Sequence, residues 1–176
     1  MKLAIMQPYL FPYLGYFQLI NSVDLFVVYD DVQYIKGGWI NRNRILLEDR
    51  DYLFTFPVKK GSLDDRIYER YFSDDFPIFA KRFKRTLEVA YRDAPNYLDA
   101  MSLITKVLDS DDLNIARFIS RGLRIICDYL SIETKFILSS EIEKDPALKG
   151  QDRVIEINRL LGSTHYINPI GGMELY

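Results

Sequence analysis

The chain has 176 residues, 48% hydrophobic and 27% charged, with a net charge of −2 and one cysteine, Cys127. One compact domain, 1–176, with a sizeable core is expected, and a lone thiol excludes an internal disulfide or a cysteine zinc cluster, which suits a reducing cytoplasm. The slightly acidic balance argues against nucleic-acid binding by charge, no apolar run reaches the roughly 20 residues of a spanning helix, and no signal-peptide pattern opens the chain.

In chain order, Lys2 to Met6 is an apolar strand that runs into Gln7-Pro8, where proline ends the ladder. Leu14, Phe17, Leu19 and Ile20 recur near helical spacing behind Pro12, so a helix from about Pro12 to Ser22 follows, and Leu25 to Tyr29 is the second strand. This opening is a β-α-β crossover unit. Arg44 to Glu48 and Tyr52 to Val58, on either side of Asp49-Arg50-Asp51, read as a hairpin.

Phe76, Phe79, Phe83, Leu87 and Tyr91 then mark an amphipathic helix behind Asp74-Asp75, which would place acidic residues in its first turn. Tyr97 to Leu108 and Leu113 to Leu130 are two further helices. The last third alternates again: strand Lys135 to Leu138, helix Gln151 to Leu161 closed by Gly162, and strand Thr164 to Ile167. The fold class is therefore α/β, a mainly parallel sheet from β-α-β units with a β-hairpin insertion and a central helical block.

Polar segments follow the predicted strands, where a parallel sheet opens its ligand crevice. They are Gln7-Pro8-Tyr9, the loop Asp30 to Arg44, Ser139-Ser140-Glu141, and Asn168 with Gly171-Gly172. In the second loop, Arg42 and Arg44 are two residues apart, so an extended backbone sends both guanidinium groups to one side, where they can grip a phosphate or carboxylate. The bland alternative is that Asp30 or Asp31 pairs with one of these arginines. Lys36 adds charge, Gly37-Gly38 permits close backbone approach or a turn, and Trp39 can stack on a sugar or base or anchor the loop. Asn41 and Asn43 are candidate orienting groups.

No GxGxxG and no P-loop is present, and the sequence identifies no cofactor. Gly171-Gly172 could form an anion nest. No metal is expected: His165 has no neighbouring cysteine or paired carboxylate, although Asp30-Asp31 could hold magnesium beside phosphates. His165, the only histidine, is a packed strand residue or a general base, and Asp31 is the other candidate for proton transfer. Ser139 and Ser140 lie outside any GxSxG elbow, and Cys127 reads as a small core hydrophobe.

Met6 to Ile20, Asp30 to Tyr34, Trp39 to Ile45, Pro57 to Gly61, Ser139 to Glu141 and Tyr166 to Gly172 together resemble the hallmark segments of the WbqC-like family. That resemblance implies bacterial cell-surface polysaccharide (O-antigen) biosynthesis, with glycine or other aminoacyl transfer proposed for some members. It also implies a fragment or a short member lacking a final strand and helix, because members continue past the Gly-Gly-x-x-Leu-Tyr segment. The opening strand, turn and helix are faintly similar to nucleotidyltransferase-type α/β domains, but the paired histidines of that signature are absent here.

The expected function is thus a transferase on a small anionic substrate, a nucleotide sugar or sugar phosphate, held by Lys36, Arg42 and Arg44 and oriented by Gln7, Asp30, Asn41 and Asn43. The rival is a noncatalytic nucleotide-sugar-binding or scaffold protein working with glycan-biosynthesis enzymes. Neither reading involves nucleic acid or an integral membrane segment.

Overall fold

The computed structural model describes residues 1–169, so Gly171 and Gly172 lie outside the described residues. Four parallel strands form the central sheet: β1 (Lys2–Met6), β2 (Leu25–Val28), β5 (Lys135–Leu138) and β6 (His165–Tyr166), in the order β5-β2-β1-β6. The mainly parallel α/β class read from the sequence holds. A separate antiparallel hairpin joins β3 (Arg42–Leu47) to β4 (Arg50–Thr55).

Alternation along the strands divides the core into two layers. Leu3, Ile5 and Val27 face Val154 and Ile157 of helix α5 (Gly150–Leu160). Ala4, Phe26 and Val28 face the larger layer, which contains α1 (Leu14–Asn21), α2 (Phe76–Tyr91), α3 (Tyr97–Leu108), α4 (Ile115–Tyr129) and the hairpin. Its centre is aromatic: Phe56 packs edge-on to Phe72 and Phe83, and Phe76 lies edge-on to Phe118. Each such buried ring contributes about 1.5–3 kcal/mol relative to exposure.

Several boundaries differ from the sequence reading. Helix α1 begins at Leu14, with Pro12 outside it. Strand β3 begins at Arg42, so the two arginines belong to a strand and not to the loop. The hairpin turn is Glu48-Asp49, both with positive φ of 51° and 58°, a two-residue turn whose twist matches paired strands. Asp74 and Asp75 precede α2 without entering its first turn; Asp74 instead pairs with Lys59 at 2.7 Å. Among the described residues no helix is long and apolar enough to cross a membrane.

Candidate functional site

The sheet register places the polar segments. Met6 pairs with Val28 and Val28 with Leu138, so Gln7, Tyr29-Asp30 and Ser139 leave the sheet at the same edge. Strand β1 lies between β2 and β6, and the order of the chain reverses there, so Gln7 and Asn168 flank the switch point where ligand crevices form. His165 pairs with Lys2, at the opposite end of β1, about 17 Å from Gln7 at 3.3 Å per residue. It is exposed, with Nδ1 3.0 Å from the Thr164 hydroxyl. The structure therefore does not bring His165 together with Asp31.

Neither aspartate pairs with Arg42 or Arg44. Asp30 is fully buried and accepts from the Ser140 amide at 2.9 Å and the Ser140 hydroxyl at 2.6 Å. Burial pushes its carboxyl above the ordinary range, while the Ser140 bonds act the other way. Asp31 accepts from Lys144 Nζ and Arg153 Nη2, both at 2.7 Å on the same carboxylate oxygen. Two buried cations thus neutralise the Oδ2 oxygen of Asp31. Lys144 also donates to the Ser139 carbonyl oxygen, and Ser139 itself is buried. Among the described residues, no cluster of three or more His, Cys, Asp or Glu side chains could hold a metal.

Asn41 and Asn43 fasten the end of the loop that follows β2. Asn41 is buried; its Oδ1 accepts from the Tyr34 hydroxyl at 2.8 Å and its Nδ2 donates to the Phe56 carbonyl at 2.6 Å. Asn43 Nδ2 donates to the Phe11 carbonyl at 2.6 Å, tying the start of β3 to the turn before α1. Burial raises the Tyr34 phenol above its ordinary value, with Arg70 and Arg42 opposing the shift. Gly37 adopts φ +78° in the turn that the Gly38 amide closes on the Ile35 carbonyl.

Between this loop and the segment after β4 lies a groove of about 670 Å³. Lys36, Arg42, Lys59, Lys60 and Arg70 line it, and no carboxylate is among its lining residues. Arg42 and Arg44 do point to one side, as their spacing predicted: both guanidinium groups sit over the Trp39 ring, at 5.1 and 5.6 Å from its centroid. Only Arg42 reaches the groove; Arg44 pairs with Asp51 at 3.2 Å, and Trp39 stays 45% exposed.

Lys59, Lys60 and Arg70 are absent from the sequence-derived site. Arg70 donates to the Lys59 carbonyl at 2.6 Å and to Asp65 at 2.9 Å, wrapping the 59–65 loop around itself. A Cβ on Gly61 would meet Arg70 Nη1 at 2.0 Å, so any larger residue there would displace the Arg70 guanidinium from its present contacts. The Arg70 backbone is held in turn by buried Asn114, whose Nδ2 donates to the Tyr68 carbonyl at 2.6 Å and the Arg70 carbonyl at 3.4 Å and whose Oδ1 caps α4 at the Arg117 amide. The sequence signal was the pair Lys59-Lys60 before a glycine in a stretch without periodicity.

A family model described as the WbqC-like protein family matches residues 7–176. The chain belongs to this family. An uncharacterized protein of Mycobacterium tuberculosis (strain ATCC 25618 / H37Rv), Rv1507c, is 32% identical over 169 residues, 95% of this chain and 71% of that protein. No solved structure matches the chain. The WbqC-like match begins at Gln7, the first residue past β1, and takes in both the groove and the Asp30-Asp31 edge.

Proposed function

We propose that this chain is a transferase of bacterial cell-surface polysaccharide (O-antigen) biosynthesis, including aminoacyl (glycine) transfer, acting on a nucleotide- or phosphate-bearing sugar. The observation that carries the reading is the basic groove: five cationic residues surround one depression without a lining carboxylate. Clefts lined by one sign of charge concentrate ligands of the other. Lys36, Lys60 and Arg42 would meet the phosphates, Trp39 would offer a face to the base or sugar, and Arg70 would hold the loop that carries Lys59 and Lys60. Asn41 and Asn43 act through the backbone they fasten, and Arg44 braces Trp39. Family membership supports the polysaccharide setting.

A second reading, a noncatalytic nucleotide-sugar-binding or scaffold protein, is favoured by one observation. The groove lining holds no carboxylate or imidazole to move a proton, and its Tyr34 hydroxyl is committed to Asn41. A binding module needs the cations alone, whereas a transferase needs a positioned acid or base. A thermal-shift screen against nucleotide sugars, nucleotides and sugar phosphates tests the shared core of both readings. Ligand at 100 times its Kd stabilises by about 2.7 kcal/mol, and the shift must vanish in Lys36→Ala/Arg42→Ala. Turnover of a hit identifies the transferase; saturable binding without turnover identifies the module; no phosphate-dependent shift overturns both.

A further inference from the structure

The hairpin leaves one of its two edges open. Its two-residue turn makes Leu47 and Arg50 a hydrogen-bonded pair, as in alternation are Ile45 with Tyr52 and Asn43 with Phe54, so the amides and carbonyls of Asp51, Leu53 and Thr55 point away from β3. Side chains close the outer edge of β3: the Leu46 amide donates to the Tyr91 hydroxyl at 2.9 Å and the Arg44 amide to Asn43 Oδ1 at 2.8 Å. Past β4, the Ser73 amide donates to the Pro57 carbonyl and the Lys59 amide to the Tyr71 carbonyl. Between these closures the main-chain groups of Asp51, Leu53 and Thr55 have no hydrogen-bond partner among the described residues, and all three residues are exposed, Leu53 at 46%. An exposed, unpaired strand edge is a template for an added strand.

Beside this edge runs a groove of about 240 Å³ whose far wall is α2, with Phe79, Arg82, Phe83 and Thr86 across from β4. Phe83 reaches Phe54 with ring centroids 4.3 Å apart, and Phe79 is 36% exposed. The Arg82 guanidinium lies over the Phe79 ring at 5.9 Å and forms no ion pair among the described residues. Helix α2 carries Lys81, Arg82, Lys84 and Arg85 against one acid, Glu88, and the acid on the open edge, Asp51, is already paired with Arg44. A strand added at the usual spacing of about 4.8 Å from β4 lies over this groove and points alternate side chains into it. One apolar side chain covers Phe79 and Phe83, and an acidic one two residues along meets Arg82. A second copy of the chain is a poorer occupant, because pairing two β4 edges sets two walls bearing Arg82 against each other.

We infer that the open edge of β4, with the groove beside α2, binds an extended acidic peptide segment of a partner protein by strand addition. Main-chain bonds to Asp51, Leu53 and Thr55 supply affinity, and the wall of Phe79 and Arg82 supplies selectivity. The inference goes beyond the anion reading of the basic groove and does not rest on it. Thr55 and Phe56 line both depressions, so a docked segment lies next to the basic groove.

The probes are a capped heptapeptide of threonine alternating with an inward row of valine, glutamate and valine, and its counterpart with lysine for glutamate, each titrated to about 1 mM into the 15N-labelled chain. Expected is slower hydrogen exchange at the Asp51, Leu53 and Thr55 amides with the glutamate peptide, about fivefold weaker binding of the lysine peptide, and reversal of that preference in Arg82→Glu. Leu53→Pro removes an outward amide, a change that edge strands admit, and should abolish binding. The inference is overturned if neither peptide protects those amides, if the lysine peptide binds equally well, or if Leu53→Pro binds unchanged. Protection of the same amides in the free chain also overturns it, and sedimentation then tells whether a second copy covers the edge. Should Leu53→Pro fail to fold, the exchange of preference in Arg82→Glu decides. A basic groove silent to pyrophosphate counts against the proposed function and not against this site.

Discussion

The Arg70 guanidinium lies 5.1 Å from the centroid of the Tyr34 ring while donating to the Lys59 carbonyl and the Asp65 carboxylate. One side chain therefore sets both walls of the basic groove, the loop after β2 through Tyr34 and the loop after β4 through Lys59. Lysine carries the charge but not the planar fork that makes these contacts together. Arg70→Ala is expected to cost about 2 kcal/mol in urea unfolding, with Arg70→Lys recovering less than half. Full recovery by lysine would mean that charge alone, and not the fork, organises the groove.

Lys36 and Arg42 make no ion pair among the described residues, and the buried Arg42 Nε has no partner, so removing them breaks no network. Lys36→Ala/Arg42→Ala should leave unfolding free energy within about 1 kcal/mol, the scale of the lost Arg42–Trp39 contact. Affinity for pyrophosphate should fall at least tenfold, and its salt dependence should become shallower, because fewer cations are screened. Titration calorimetry at two salt concentrations reads both; unchanged affinity would remove the groove as the anion site.

Asp31 neutralises two buried cations. Asp31→Ala strands Lys144 and Arg153 in a low-dielectric site and should destabilise by about 3–5 kcal/mol. Denaturant melts give the number directly. A loss below about 1 kcal/mol would show that Asp31 is not needed for pairing and would restore its candidacy for proton transfer.

Cys127 is buried on α4, and desolvation pushes its thiol from the ordinary 9.0 to about 11. Between those values the unfolded chain has released the proton and the folded chain still holds it. Deprotonation thus opposes folding, and stability falls as pH rises from 9.0 to about 11. At pH 8 the thiol should resist Ellman's reagent in the native protein and react fully in urea. Rapid native reaction would contradict the buried placement.

Much of this fold was legible before any coordinates. The apolar runs at Lys2–Met6, Leu25–Val28 and Lys135–Leu138, and the periodic spacing through α2, α3 and α4, are local signals set by burial on one face or two. The two-residue spacing of Arg42 and Arg44 likewise implied that both project to one side, and both now cover Trp39. Asp31 could not be read this way, because its partners Lys144 and Arg153 are more than a hundred residues away.

Composition and hydrophobic pattern by themselves determined the α/β class, the single-thiol core and the presence of a polar, cation-bearing loop after the second strand, since each depends on neighbours a few residues apart. Tertiary structure alone decided that His165 stands at the far end of the sheet from Asp31, that Lys59, Lys60 and Arg70 complete the groove, and that Asp31 belongs to a buried ion cluster. Strand register and long-range pairing set those relations, and both arise from packing between segments whose separation along the chain carries no local signature.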